Sequence, residues 1–193
     1  MIILDPDLDD HPSPKTKPAK PSAASTLSPS KSASRDFNLP SPRTLARFLS
    51  TAQAAVRLRG QVTVLLTTDA AICKLNRQFR GKNKATDVLS FPAEGIGAHG
   101  IAGDLAISVT TALMQAAEQG HSLSTEIKVL ILHGLLHLAG FDHEVDDGKM
   151  ARRERLLRAK LKLPQGLIER AENDRVPPVS KARPGSRPKA KRT

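Results

Sequence analysis

Between residues 43 and 161, segments whose hydrophobic residues have the spacing of a helix alternate with segments that have the composition of a strand. A helix is expected over residues 43–59, ended by Gly60, because apolar side chains recur there every three or four residues, at Leu45, Leu49, Ala52 and Val56. The next segment, 61–68, is rich in Val, Leu and Thr, which is typical of a strand. A second helix is expected to start at its cap, Asp69, with an apolar face made of Ile72, Leu75 and Phe79.

The pattern further along predicts two more strands and three more helices. Strands are expected at residues 86–91 and 104–108, and the four glycines between 93 and 103 indicate a loop between them. Helices are expected over 110–118, from the cap Ser122 through Leu138, and over 147–161. The predicted fold is therefore α/β (α+β): a single compact domain with a small three- to four-stranded sheet packed by about five helices.

Composition divides the 193 residues into four parts. Residues 1–10 could form a short edge strand. Residues 11–42 hold seven of the 14 prolines with many Ser, Ala and Lys, and this composition predicts a disordered insert. Residues 43–172 would form the folded domain, and residues 173–193 a disordered basic tail.

The formal net charge of +11 is concentrated near the end of the sequence, where residues 175–193 hold seven basic and no acidic side chains. This tail could serve solubility alone, or it could attract a polyanion, for which RNA is the obvious candidate. Both interpretations stay open.

Several classes of protein are excluded by composition. No apolar run approaches the roughly 20 residues of a membrane-spanning helix, and the start lacks the basic and apolar regions of a secretory signal. A single cysteine, Cys73, excludes a disulfide framework and a multi-cysteine zinc finger. With no Trp or Tyr and only five Phe, the composition argues against nucleic-acid binding through an aromatic stacking platform.

The segment ILHGLLHLAGFDH, residues 131–143, carries the clearest chemical signal. His133 and His137 are four residues apart, so both point from one face of the predicted helix. Gly140 favours a left-handed turn that would let His143 approach them. Three imidazoles that leave a fourth position open are typical of a catalytic zinc site at a helix end, so we predict one zinc ion here.

This histidine spacing is also that of the metzincin proteases, which carry a general-base glutamate directly after the first histidine. Here Gly134 occupies that position. The pattern therefore favours a metal-dependent hydrolase other than a peptidase, since zinc can also activate water and polarise a phosphoryl oxygen.

A basic segment, LNRQFRGKNKATDVLSFP over residues 75–92, precedes the histidines. Solvated surface is the simpler interpretation for Arg77, Lys82 and Lys84, whereas an arginine fork such as that of Arg80 matches phosphate oxygens. Three carboxylates have open roles. Asp87 could cap a loop or take part in chemistry. Asp104 could orient a histidine or bind backbone amides. Asp142 could support a metal ligand.

Three segments together resemble the YbeY family of bacterial endoribonucleases: HGLLHLAGFDH, LNRQFRGKNKATDVLSFP and GDLAIS at residues 103–108. The resemblance covers roughly residues 43–161. It implies that His133, His137 and His143 are zinc ligands and that Arg80 is the functional arginine. It also implies a cytoplasmic protein that acts in 16S rRNA 3′-end processing and ribosome quality control.

The leading hypothesis is therefore a zinc-dependent endoribonuclease whose substrate is rRNA and whose partners are the ribosome or its small-subunit components. Two alternatives stay open: a metallohydrolase of a peptide or small molecule, and a non-catalytic ribosome-assembly factor with a structural zinc. The two kinds of zinc site differ in coordination, because a structural site is closed by a fourth ligand.

Overall fold

The computed structural model describes residues 1–8, 39–93 and 100–164. Within them the chain forms four strands and five α-helices, besides one turn of 3-10 helix at Pro6–Leu8. The strands are β1 (Ile2–Leu4), β2 (Gln61–Thr67), β3 (Val88–Pro92) and β4 (Ile101–Ser108). The helices are α1 (Pro42–Val56), α2 (Asp69–Arg80), α3 (Val109–Glu118), α4 (Leu123–Leu138) and α5 (Lys149–Leu161). The predicted fold class is confirmed.

The four strands form one mixed sheet in the order β1-β2-β4-β3. Strands β1, β2 and β4 are parallel to one another, and β3 runs antiparallel to β4. β1 and β3 therefore lie at the two edges of the sheet. As the antiparallel edge strand, β3 brings its last residues beside the first residues of β4, with Phe91 opposite Asp104.

Short polar side chains cap most of the helices in the described ranges. Ser122 caps α4 by accepting a hydrogen bond from the backbone N–H of Thr125 at 3.1 Å. Thr68, and not Asp69, caps α2. Asp69 is the first residue of that helix, and its carboxylate accepts hydrogen bonds from Ser108 and Thr111 at the start of α3. Asp69 thus joins two helix starts instead of capping one.

The main core lies between one face of the sheet and helices α1, α4 and α5. α4 is its central element, with twelve buried residues. At Gly134 this helix lies against the sheet so closely that a β-carbon would stand 2.7 Å from Cδ2 of Leu105 and 3.3 Å from Oγ of Ser90. Position 134 therefore faces the sheet.

The opposite face of the sheet holds a smaller cluster, in which α2 covers β3 and β4 through Ile72, Leu89 and Ala106. The apolar stripe predicted on α2 is buried at Ile72 but not at Phe79, which is 59% exposed. The predicted apolar stripe is therefore packed against the sheet in the first turns of α2 and exposed to solvent in its last turn.

Several predictions fall outside the described residues, including almost all of the insert, over 11–38, and the whole of the tail, over 173–193. The predicted first domain boundary at 43 lies one residue inside α1, which starts at Pro42. None of the helices in the described ranges is both long and apolar enough to cross a membrane.

Candidate metal centre

Helix α4 and the turn that follows it bring three histidines together. His133 and His137 project from the last two turns of the helix, and Gly140 follows with φ of 87°, a backbone conformation that favours glycine. The chain then reverses, so the His143 ring lies 5.4 Å from the ring centre of His133 and 5.3 Å from that of His137. The predicted convergence of these side chains is present.

The nitrogen atoms of the cluster lie close enough together that they could hold a metal ion. One ligand atom from each ring can be chosen so that all three lie within 4.8 Å of one another. Nε2 of His133 is 3.2 Å from Nε2 of His137. Two nitrogens bound to one tetrahedral zinc at about 2.0–2.1 Å lie about 3.3 Å apart, so this donor pair fits a zinc ion. Within the described ranges the group contains no fourth residue of ligand type.

A buried carboxylate lies behind the first histidine. Glu154 of α5 is 1% exposed, and its Oε1 lies 3.4 Å from Nδ1 of His133. Because a carboxylate only accepts hydrogen bonds, this contact favours the tautomer with the proton on Nδ1, which leaves a lone pair on Nε2 for a metal. Carboxylates commonly hold metal-binding histidines in this way.

Sequence reasoning missed Glu154 and considered Asp104 for this task. Asp104 lies within β4 and is exposed, so the suggestion that it orients a histidine from a buried position is wrong. A signal for Glu154 existed in the periodicity of α5. Met150, Glu154 and Leu157 share its buried face, and a carboxylate on such a face needs a partner.

The environment of His137 keeps its imidazole neutral. The pKa of His137 is lowered from 6.5 to about 4, mainly by burial and then by the neighbouring His133 and His143. Asp142 raises this pKa by its negative charge, and Arg80 contributes a smaller lowering. A neutral imidazole is the form that binds a metal, so the ring is prepared to act as a ligand at neutral pH.

The Arg80 side chain approaches the histidine cluster from α2, which lies on the opposite face of the sheet from α4. It is the last residue of α2, and its Nη2 donates a hydrogen bond to the carbonyl oxygen of Ser90 in β3 at 3.4 Å. Ser90 in turn lies against Gly134 of α4. The guanidinium is therefore placed at the β3 edge, close enough to influence His137, while the side chain as a whole stays exposed.

The other two carboxylates have identified contacts. Asp87 accepts hydrogen bonds from the backbone N–H of Val88 at 2.8 Å and from Gln115 at 3.0 Å. These bonds favour the loop-capping interpretation of Asp87. Asp142 accepts a hydrogen bond from the N–H of Glu144, and its charge acts on His137, so it lies beside the histidine cluster.

The fold and this cluster define a class: a small α/β protein with a three-histidine group that could hold a metal ion at the end of a core helix. A family model described as Endoribonuclease YbeY matches residues 33–162. The chain therefore belongs to the YbeY family of endoribonucleases, enzymes that cleave phosphoester bonds in RNA. The resemblance noted from the sequence is confirmed.

Two relatives, from Koribacter versatilis and Arabidopsis thaliana, agree with this assignment. Endoribonuclease YbeY of Koribacter versatilis is 55% identical over 130 residues, which make up 67% of this chain and 84% of that protein. The chloroplastic Endoribonuclease YBEY of Arabidopsis thaliana is 52% identical over 91 residues, 45% of this chain and 15% of that protein. The solution structure of TM1509 from Thermotoga maritima aligns with a TM-score of 0.45 and 26% identity, over 77% of this chain and 96% of that one.

Proposed function

We propose that this protein is a zinc-dependent, single-strand endoribonuclease that acts in the cytoplasm on ribosomal RNA. The observation that carries the proposal is the convergence of His133, His137 and His143, with two Nε2 atoms at a separation that fits one zinc ion. By the family resemblance its task is 16S rRNA 3′-end maturation and ribosome quality control, with the ribosome or its small subunit as partner.

Three histidine ligands leave one position of a tetrahedral ion open. A zinc ion bound there would lower the pKa of a coordinated water to about 7 and polarise a phosphoryl oxygen. His133 would be held in the required tautomer by Glu154, and His137 would be neutral without losing a proton. His143 is exposed, so the substrate would approach from its side of the cluster.

Arg80 is the proposed catalytic residue. Its exposed side chain extends along the β3 edge towards His137, and a guanidinium offers a planar pair of N–H donors to two phosphate oxygens. Donors of this kind are worth most where negative charge develops in the transition state. Arg80 would therefore bind the scissile phosphate and stabilise the additional charge on it.

The packing of Gly134 is unfavourable to a peptidase of the metzincin type. A general-base glutamate at this position would meet Leu105 and Ser90 of the sheet, where even a β-carbon is crowded. The absence of a fourth ligand-type residue from the cluster, within the described part of the chain, likewise favours an open catalytic site over a closed structural one.

RNA cleavage by the zinc-loaded protein beside its His137→Ala variant tests the proposal. The wild-type protein should cut single-stranded RNA, and the variant should bind less zinc and lose cleavage. Arg77→Ala, on the exposed surface of α2, is a control that should retain both properties. A zinc-loaded wild-type protein that cuts no RNA would overturn the proposal.

A further inference from the structure

An exposed aromatic pair lies beside the proposed catalytic arginine. Phe79, the residue before Arg80, is 59% exposed, and it is the one aromatic residue among the exposed large hydrophobic side chains of the described ranges. Its ring lies 5.2 Å from the ring of Phe91, with the two planes at 69°. Phe91 is partly buried against the cluster that contains Leu89, so this edge contact supports the Phe79 ring without covering it.

A single strand, β3, separates the pair from α4, the helix that carries two of the histidines. Phe79 contacts Phe91, whereas Arg80 binds the carbonyl oxygen of the preceding strand residue, Ser90. Successive residues of a strand point to opposite faces, so Phe91 faces α2 while Ser90 faces Gly134 of α4. A ligand that lies across the β3 edge could therefore meet the Phe79 ring on one side, Arg80 at the edge and the histidines on the other.

The charges around the ring indicate what kind of ligand fits. Lys82 and Lys84 are exposed in the segment that follows Arg80, and these cations favour an anionic ligand. Asp104 is paired with Phe91 across the strands, so its side chain lies on the same face as the ring pair and disfavours a phosphate there. A ligand with a flat group and attached phosphates fits both the lysines and Asp104. Its phosphates can lie at the cations while its flat group lies on the Phe79 ring.

We propose that Phe79, supported by Phe91, is a stacking subsite for one nucleobase of a single-stranded RNA whose neighbouring phosphate binds Arg80. The inference rests on the proposed function and specifies where that substrate binds. Base stacking on an aromatic ring accepts any of the four bases, so the subsite would add affinity without sequence preference. The few aromatic residues of the chain had argued against an aromatic platform, but two of them meet beside the site.

The absence of tryptophan from the chain gives a direct test. Phe79→Trp places a single indole at the subsite, and a stacked base should quench its fluorescence. The probe is a 2′-O-methyl decanucleotide, titrated against the full-length, zinc-loaded protein at fixed salt. A matched decamer with abasic positions keeps the phosphates and removes the bases, so it should bind through charge and leave the fluorescence nearly unchanged.

Leu156→Trp is the matched control, because Leu156 is 67% exposed on α5 and its indole would report non-specific quenching. Affinities by fluorescence anisotropy give a second readout. Phe79→Ala and Phe79→Leu should weaken binding of the decanucleotide by about fivefold or more and leave binding of the abasic decamer unchanged. Any one of three results would overturn the subsite: equal quenching at positions 79 and 156, equal quenching by the two oligomers, or unchanged affinity for the decanucleotide in both Phe79 variants.

These measurements are independent of cleavage. Failure of the wild-type protein to cut unmodified RNA would overturn the proposed function, whereas the binding experiments decide on the subsite by themselves.

Discussion

Glu154 lies against Nδ1 of His133, while the other ring nitrogen, Nε2, faces His137. We expect Glu154→Ala to lower zinc affinity by about 10- to 100-fold, because the ring would lose the acceptor that fixes its tautomer and orientation. Glu154→Gln should have a smaller effect, since its amide oxygen can still accept from Nδ1. A zinc titration against a competing chelator measures both, with the exposed Glu144→Ala as control. Equal zinc affinity in Glu154→Ala and wild type would contradict this role.

Arg80 is expected to act on turnover and not on the metal. Arg80→Ala should lower the cleavage rate by a factor on the order of 10² or more, by analogy with the loss of one oxyanion donor. Arg80→Lys should recover part of the activity, because lysine keeps the charge but lacks the planar fork. Zinc content should stay at the wild-type value in both variants. A folded, zinc-loaded Arg80→Ala protein with near-normal cleavage would remove Arg80 from the mechanism.

His137 gives the metal-free protein a defined pH response. Its pKa is about 4 in the folded protein, below the ordinary 6.5 that applies when the chain is unfolded. Between these values the unfolded chain binds a proton that the folded chain does not, so stability should fall as pH decreases from about 6.5 to 4. Thermal unfolding at several pH values measures this, and His137→Gln should flatten the dependence over that range. An unchanged slope in the variant would assign the pH response to other groups.

At the scale of elements, local signals predicted most helices and strands to within a few residues. Ser122 and Gly140 marked the two ends of α4 because a cap and a left-handed turn depend on residues adjacent in sequence. The exposure of Phe79 could not be predicted from local signals, since it depends on how α2 packs on the sheet. The partnership of Glu154 with His133 was missed for a similar reason, because the two residues are 21 positions apart and lie on different helices.

The contact between α4 and the sheet predicts the effect of a substitution at Gly134. Alanine favours a helix by about 1 kcal/mol over glycine, but its β-carbon would press on Leu105, which is 1% exposed and has little room to move. Overpacking of this kind costs about 1–3 kcal/mol, so we expect Gly134→Ala to lower the free energy of unfolding by up to about 2 kcal/mol. Denaturant unfolding measures the change, with Ser124→Ala in the same helix as control. A more stable Gly134→Ala protein would contradict this prediction, because it would mean that the sheet shifts to accommodate the β-carbon at little energetic cost.

At the scale of the whole molecule, the sequence predicted the strands but not their order. The hydrophobic pattern of a strand shows that it has a buried face, and it does not identify the neighbouring strand. The parallel pairing of β1 with β2 joins Ile2 to Val64, and the insertion of β4 between β2 and β3 is equally non-local. The histidine cluster was predictable in spite of this, because its three members lie within 11 residues and one turn brings them together.

The distribution of charge over the whole chain leads to the last prediction. Residues 175–193 carry seven positive charges and no negative one, and this sequence should add salt-dependent affinity for RNA. Each neutralised phosphate of a single strand contributes about 0.7 to the slope of log affinity against log salt, so deletion of the segment should reduce the slope by up to about 5.

Binding of single-stranded RNA by the full chain and by the chain shortened after residue 174 should be measured between about 50 and 200 mM salt, where electrostatic contributions change most clearly. A variant with all seven basic residues changed to glutamine keeps the length of the segment and should behave like the deletion, because the effect arises from charge. Thermal stability should hardly change in either variant, since the described core is formed by elements that end at Leu161. If both variants keep the wild-type slope, the segment does not contact RNA, and its charge serves solubility.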